Sequence, residues 1–275
     1  MGVIIYKTAE EIELIRKSNL LVSKTLALVG SLIKPGMNGA EIDKAAEELI
    51  RDNGAVPGFK GYNDFPATLC VSPNEQVVHG IPTKDQVFKD GDIVSVDCGV
   101  FMNGFFGDAA YTFAVGDVTE DVMDLLRATN ASLYKGIEQA VVGKRLGDIS
   151  FAIQHFIEKE HGYGIVRELV GHGVGRNLHE APEVPNFGRR GRGVKLQEGL
   201  VIAIEPMVNL GNKKVSTSKD GWTIFTKDRK PSAHFEHTVA IGKNKADILS
   251  THAFVEEAIR KNVNVKEVAL KLELV

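Results

Sequence analysis

The stretch Asp92–Phe113, DIVSVDCGVFMNGFFGDAAYTF, constrains this chain more than any other. It alternates as two strands joined at Asn103-Gly104, a dipeptide that suits a type I′ turn because both residues tolerate positive φ. With those residues at the tip, Asp97 faces Ala110 and Asp108 faces Gly99. Both aspartates then share one sheet face, diagonal to each other, with Cα atoms roughly 7–8 Å apart. Gly99 leaves space beside Asp108. Ile93, Val94, Val96, Phe105 and Phe106 predict a buried setting. Like charges there repel, and a buried carboxylate wants a cation. An exposed edge hairpin would need none; a buried pair can bridge two metal ions roughly 3.5–4 Å apart, if the rest of the chain supplies further ligands.

The surrounding pattern is α+β. Thr8 with Glu11, and Asn38 with Glu41, form capping boxes, which predict two helices ending at Pro35-Gly36 and Asn53-Gly54. Residues 55–66 read as an aromatic loop, followed by strands at Ala67–Val71 and Val77–Gly80. Further helices are predicted at about Thr119–Val142 and Asp148–His161. A shift of 107 residues places Gly36 on Gly143, Ile42 on Ile149, Ala45 on Ala152 and Ile50 on Ile157. That weak repeat suggests two related halves sharing one continuous sheet. Next come a strand Leu200–Glu205, a hairpin of Trp222–Thr226 with Ala233–Ile241 around a charged turn Lys227–Lys230, and a helix Thr251–Arg260. The tail to Val275 alternates like a strand. One catalytic domain over residues 1–250 is expected, with 251–275 as an extension.

Three residues complete a ligand set. His172 lies between glycines, which permit close backbone approach, although a turn histidine looks the same in isolation. Glu205 ends the apolar strand VIAIE, just before Pro206, where a strand breaks and a site can open. Glu236 sits between apolar positions in HFEHT. With Asp97 and Asp108 these make four carboxylates and one imidazole. A hard oxygen set with no thiolate suits two Mn²⁺, Co²⁺ or Fe²⁺ ions better than a structural zinc.

Composition excludes several classes. A net charge of −3 over 275 residues gives no global field for nucleic acid or anionic membrane. Cys70 and Cys98 are the only cysteines, too few for a disulfide framework, so a reducing compartment is expected. The start MGVIIY shows no secretory signal, and no apolar run reaches the 18 residues or so that a membrane span needs. A cytoplasmic protein is the expectation.

The motifs VVHGIP around His79, the Asp97 to Phe113 hairpin, GHGVGRNLHE, PEVPN, AIEPM, the GW pair at Trp222 and FEHT together resemble the type I methionine aminopeptidases. The resemblance runs from the first helix to about Ile248. It implies the pita-bread fold, two pseudosymmetric halves with a central antiparallel sheet covered by helices. It implies a dinuclear centre of divalent ions, with Mn, Co, Fe and Zn as candidates. Asp97 and Asp108 would hold one ion, His172 and Glu205 the other, and Glu236 would bridge. It implies Glu205 as general base, His179 as donor to the oxyanion, and His79 against the scissile amide or the next residue. Phe59, Tyr62, Phe65, Cys70, Leu178 and Trp222 would line a methionine pocket, although such an aromatic cluster by itself also reads as core. The chain departs from the family at Asp97-Cys98-Gly99, where Asp-x-Thr is usual, and at Phe65, where Tyr is common. Only 30 residues separate Glu205 from Glu236, too few for the type II insert, and no Cys-rich extension precedes the first helix.

The resemblance implies removal of the initiator methionine from nascent proteins when the next residue is small. The partners would be nascent N-terminal peptides and, in passing, the ribosome, with no membrane, no sequence-specific nucleic acid and a monomeric state. The loop carrying Arg189, Arg190 and Arg192 reads as solvated rather than as an RNA contact. A proline-specific aminopeptidase or dipeptidase, or a non-enzymatic binding module of the same fold, are the alternatives. The first usually has a large preceding domain, and the second typically loses ligands.

Overall fold

In the computed structural model, described for residues 2–268, the chain begins with two capped helices. Helix α1 (Ala9–Leu32) starts in a reciprocal box: Glu11 N–H donates to Thr8 Oγ1, and Thr8 N–H to Glu11. Asn38 and Glu41 do the same for α2 (Gly39–Asp52). Each box satisfies two otherwise orphaned donors. Helices α3 (Glu120–Ile137) and α4 (Leu146–Gln154) repeat the order of two helices joined by a turn, without a side-chain cap at Thr119. The same 107-residue shift that relates Gly36 to Gly143 relates the start of α2 to that of α4, and both glycines lie at positive φ, 87° and 93°.

Helix α3 is shorter than its pattern suggests. β-Branched Val141 and Val142 leave the helix instead to bridge Gly242. Helix α4 begins two residues earlier than expected and finishes in a π-helical turn, His155–Glu160.

The strands before the central hairpin are β1 (Val56–Pro57), β2 (Leu69–Pro73) and β3 (Gln76–Val78). The hairpin itself is β4 (Ile93–Met102) with β5 (Phe105–Val115). Its register is the expected one, Asp97 opposite Ala110 and Gly99 opposite Asp108. Asn103 and Gly104 both have positive φ, 55° and 82°. The second half supplies β6 (Gly164–Ile165), β7 (Gly171–Gly173), β8 (Glu180–Val184), β9 (Val201–Ile204), β10 (Met207–Asn209), β11 (Val215–Thr217), β12 (Ile224–Thr226), β13 (Ser232–His234), β14 (His237–Ala240) and β15 (Asp247–Ile248).

The ladders are antiparallel and fall into four groups among the described residues, so the expected continuous sheet is interrupted. The interruption lies at Phe235-Glu236, where the expected single strand Ala233–Ile241 splits. β13 pairs with β10, while β14 pairs with β9. Strand β12 turns to β11 and β3 rather than to the segment after it, which corrects the expected hairpin. The two halves are then stitched along β5. Thr112 Oγ1 donates to His234 O (2.7 Å), Glu236 N–H to Ala110 O (3.0 Å) and Thr238 Oγ1 to Asp108 O (2.7 Å). This seam sets Glu236 beside the aspartate face of the hairpin.

The core under the helices is apolar, built on Leu26, Val96, Tyr111, Phe113, Leu125 and Phe235. Helix α5 (Ala253–Arg260) lies against α1, where Asn262 donates to Gly30 O and Ile33 O, both at 2.9 Å. Strand β16 (Val265–Lys266) adds to the edge of β5. The remaining tail, residues 269–275, lies outside the described residues. No described helix is long and apolar enough to cross a membrane.

Candidate metal centre and substrate pocket

Five elements deliver the predicted ligands to one cavity of about 310 Å³. Asp97 and Asp108 project from the hairpin ladder. His172 comes from the short β7, squeezed between β8 and β9. A Cβ at Gly171 would lie 2.3 Å from Ala203 O, and one at Gly173 would lie 2.6 Å from Ala181 O, so only glycines fit on either side of His172. Glu205 follows β9 immediately before Pro206, its backbone carbonyl accepting from Asn186 Nδ2 (3.0 Å). Glu236 occupies the break between β13 and β14.

His172 Nδ1 lies 3.0 Å from Gly173 O, so it donates there and leaves Nε2 free to coordinate. Nε2 lies 3.7 Å from Asp108 Oδ2 and 3.6 Å from Glu205 Oε1. One atom each from Asp108, His172 and Glu236 falls within 4.8 Å of the others. Asp97 and Glu205 line the same cavity.

The electrostatics are those of acids crowded together away from water. Burial pushes Asp97 up to about 7, against a hydrogen bond with Asp108 that lowers it. Asp108 is raised well above the usual carboxylate range by burial, then by Glu236 and Asp97. Burial first, and neighbouring carboxylates second, raise Glu205 and Glu236 likewise. Asp97 Oδ1, Asp108 Oδ1 and Glu236 Oε1 are buried with no hydrogen-bond partner. Buried acceptors left unsatisfied are costly, and divalent cations resolve the cost directly. The donor chemistry therefore fits divalent metal. Cys70 also lines the cavity, but burial and the adjacent Asp97 and Asp108 push its thiol up, so no thiolate enters the set.

The opposite end is apolar. Phe59, Phe65, Cys70 and Leu178 pack together, flanked by Tyr62 and Trp222. Trp222 meets the edge of Phe65 at a centroid distance of 5.1 Å and that of His79 at 6.2 Å. Asp220 fixes the Trp222 turn by accepting the N–H of Trp222 and of Thr223. His79 does not continue β3 as expected. It sits at φ 58°, a left-handed conformation uncommon outside glycine, which turns the chain at the cavity wall.

His179 stands at the cavity mouth. Its Nδ1 lies 2.7 Å from Tyr62 Oη, and its ring is 4.2 Å from that of His172. Lys7 and Glu180 brace its loop with a buried ion pair of 2.6 Å, while Asn177 N–H donates to Glu180 Oε1. Desolvation lowers His179, His79 (to about 4) and His172 (to about 3), so these imidazoles are neutral near pH 7.

All predicted site residues thus meet in one cavity. Sequence reasoning missed His234, whose buried Nε2 lies 3.8 Å from Glu205 Oε2. The signal was present, since His234 and Glu236 stand two residues apart and strand alternation puts such pairs on one face. It also missed Asn63, Val78, Glu168, Leu169, Val170 and Met207, which complete the lining. Arg189, Arg190 and Arg192 do not line the cavity; Arg190 stacks on Phe151 at 4.6 Å.

Comparison with known proteins places this geometry. The pattern of metallopeptidase family M24 matches residues 13–243. A methionine aminopeptidase of Clostridium perfringens is 53% identical over 247 residues, covering 90% of this chain and 98% of that protein. The crystal structure of the methionine aminopeptidase of Thermotoga maritima superposes with a TM-score of 0.89 at 44% identity, covering 90% of this chain and all of that one. The prolidase of Pyrococcus furiosus is more distant, with a TM-score of 0.71 and 26% identity, and this chain covers 65% of its length. The chain belongs to metallopeptidase family M24 and, within it, to the methionine aminopeptidases.

Proposed function

We propose that this protein is a divalent-metal-dependent aminopeptidase that removes N-terminal methionine when the following residue is small. One observation carries the reading. A single cavity joins four carboxylates, two buried and two half-buried, and an imidazole at one end to an aromatic, thioether-compatible wall at the other. Asp97, Asp108, His172, Glu205 and Glu236 would hold the ions, which supply Lewis acidity and make water more acidic when bound.

This chain's own groups do the rest. Glu205 takes a proton from the attacking water and passes it towards the leaving amine. In this role His179, whose Nδ1 lies 2.7 Å from Tyr62 Oη, takes the tautomer that accepts from Tyr62 and presents Nε2–H, which donates to the carbonyl oxygen as charge develops there. His79, neutral and fixed by its turn, contacts the scissile amide or the next residue. A free α-amine attracted to the carboxylate end accounts for exopeptidase action. Methionine lies against Phe59, Tyr62, Phe65, Cys70, Leu178 and Trp222.

Residues 1–250 form the catalytic domain in this reading, and residues 251–268 brace α1 and the edge of β5. Nascent N-terminal peptides are the substrates. A monomer in the cytoplasm, touching the ribosome only transiently, is the setting that this substrate implies. Hydrolysis of Met-Ala-Ser against Ala-Pro-Ala across a panel of Mn²⁺, Co²⁺, Fe²⁺ and Zn²⁺ tests the reading. Methionine release with little alanine release is expected; the reverse preference would assign a proline-specific enzyme.

A further inference from the structure

Gly99 lies in ordinary extended backbone within β4, outside the left-handed region, so its conformation does not call for glycine. Its surroundings do. A Cβ at position 99 would sit 2.4 Å from Cε1, 2.7 Å from Cδ1 and 3.1 Å from Cζ of Phe59. The ring of Phe59 therefore occupies the place of the missing side chain, across the ladder from Asp108. The neighbouring backbone permits this close approach. Gly58 N–H donates to Gly99 O at 2.8 Å, and a Cβ on Gly58 would come within 2.9 Å of Gly99 C. Two glycines thus let the chain lie flat on β4 and drop the ring onto the strand.

We propose that Phe59 and Gly99 form one coupled determinant of first-residue size. Bulk at position 59 and its absence at position 99 together set the width of the pocket where it meets the carboxylates. The inference rests on the aminopeptidase reading above and adds to it the pair that sets the limit. The loop leaves the ring little retreat: Tyr62 N–H donates to Phe59 O (2.9 Å), Phe65 N–H to Tyr62 O (2.9 Å) and Gly61 N–H to Phe65 O (2.8 Å). Around the ring stand Phe65, Cys70 and Leu178, all buried and all lining the same cavity. A side chain at position 99 therefore displaces the ring, and the cavity that Phe59 lines is the space beside it that can take it up. Removing the ring opens the cavity by the size of a phenyl group.

The two changes must then compensate. Gly99→Thr should lower kcat/KM for Met-Ala-Ser by about 10–200-fold, the scale of one or two methylenes in a hydrophobic slot, and should lower it less for a norvaline peptide. Phe59→Ala should raise the ratio of Phe-Ala-Ser to Met-Ala-Ser hydrolysis by about tenfold or more on the same scale. The double variant should recover most of the methionine activity lost in Gly99→Thr, a departure from additivity expected for side chains in contact. Bound metal, counted by elemental analysis, should stay at the wild-type level throughout. If Gly99→Thr alone does not fold, the double variant must fold and Phe59→Ala must still shift the ratio. An unchanged ratio in Phe59→Ala, or losses that simply multiply in the double variant, overturns the coupling while leaving the aminopeptidase reading intact. A wild-type protein that releases no methionine overturns both.

Discussion

The two ends of the cavity are built on opposite principles. The carboxylate end is over-supplied with charge and under-supplied with partners, and most of its side chains hang from ladders or the residues that end them. The aromatic end has no charged side chain in its packing cluster and is assembled mostly from loops around residues 58–65, 177–179 and 220–222, with Cys70 from β2. Rigid strands suit atoms whose positions must hold to fractions of an ångström, since catalytic geometry tolerates little displacement. Loops suit a surface that discriminates by shape. The difference assigns chemistry to the first end and selection to the second, and each assignment can be broken separately.

The largest effect is expected at the carboxylate end. Asp108→Asn removes one charge from the group that includes His172 and Glu236. It should lose at least one ion by elemental analysis and fall to background turnover; full metal content with wild-type turnover would remove Asp108 from the centre. Next comes His179→Ala, at the junction of the two ends. Its kcat should fall by about 10²–10³, the cost of losing one oxyanion donor, with both ions retained. Collapse of metal occupancy would make His179 a ligand instead.

The aromatic end should show smaller and graded effects. Leucine and norleucine peptides should be cleaved with kcat/KM reduced by roughly 10–200-fold, because one methylene is worth little more in an apolar slot. Lys-Ala-Ser should be rejected, since its ammonium would be buried unpaired. Equal rates for Lys-Ala-Ser and Met-Ala-Ser would dissolve the selective role of this end.

The smallest effect is in stability. A carboxyl whose folded pKa is raised favours folding fully below its unfolded pKa, about 4, and loses that contribution as pH rises through the folded value. For Asp97 that value is about 7. The metal-free protein therefore loses this contribution between about pH 4 and pH 7, and bound metal restores it. His172 opposes that slope: below about 6.5 the unfolded imidazole takes up a proton that the folded one, lowered to about 3, does not, so its contribution grows as pH rises from about 3 to 6.5. The rise in Tm on adding Mn²⁺ should grow from pH 5 to pH 7; a rise independent of pH would mean that the acids are already compensated without metal.

The contrast also explains what could be read in advance. Asn103-Gly104 fixes the turn, the turn fixes the register, and the register puts Asp97 and Asp108 on one face, so that half of the centre follows from local rules alone. The split at Phe235-Glu236 does not. Local alternation from Ala233 to Ile241 describes an unbroken strand, and only the seam with β5 sends its two ends to different sheets. His234 is legible as a face-mate of Glu236 from alternation, but its approach to Glu205, which lies between β9 and β10, is not. At the aromatic end the residue types were legible but their packing was not. That Gly99 exists to seat the Phe59 ring is a contact across 40 positions of sequence.

The central claim is that the chemistry belongs to metal held at the carboxylate end. The most direct measurement is methionine release from Met-Ala-Ser by protein stripped with a chelator, verified metal-free, and then titrated with Mn²⁺ or Co²⁺. No release before titration and recovery during it is the expected result. Full turnover by the verified metal-free protein would contradict the account.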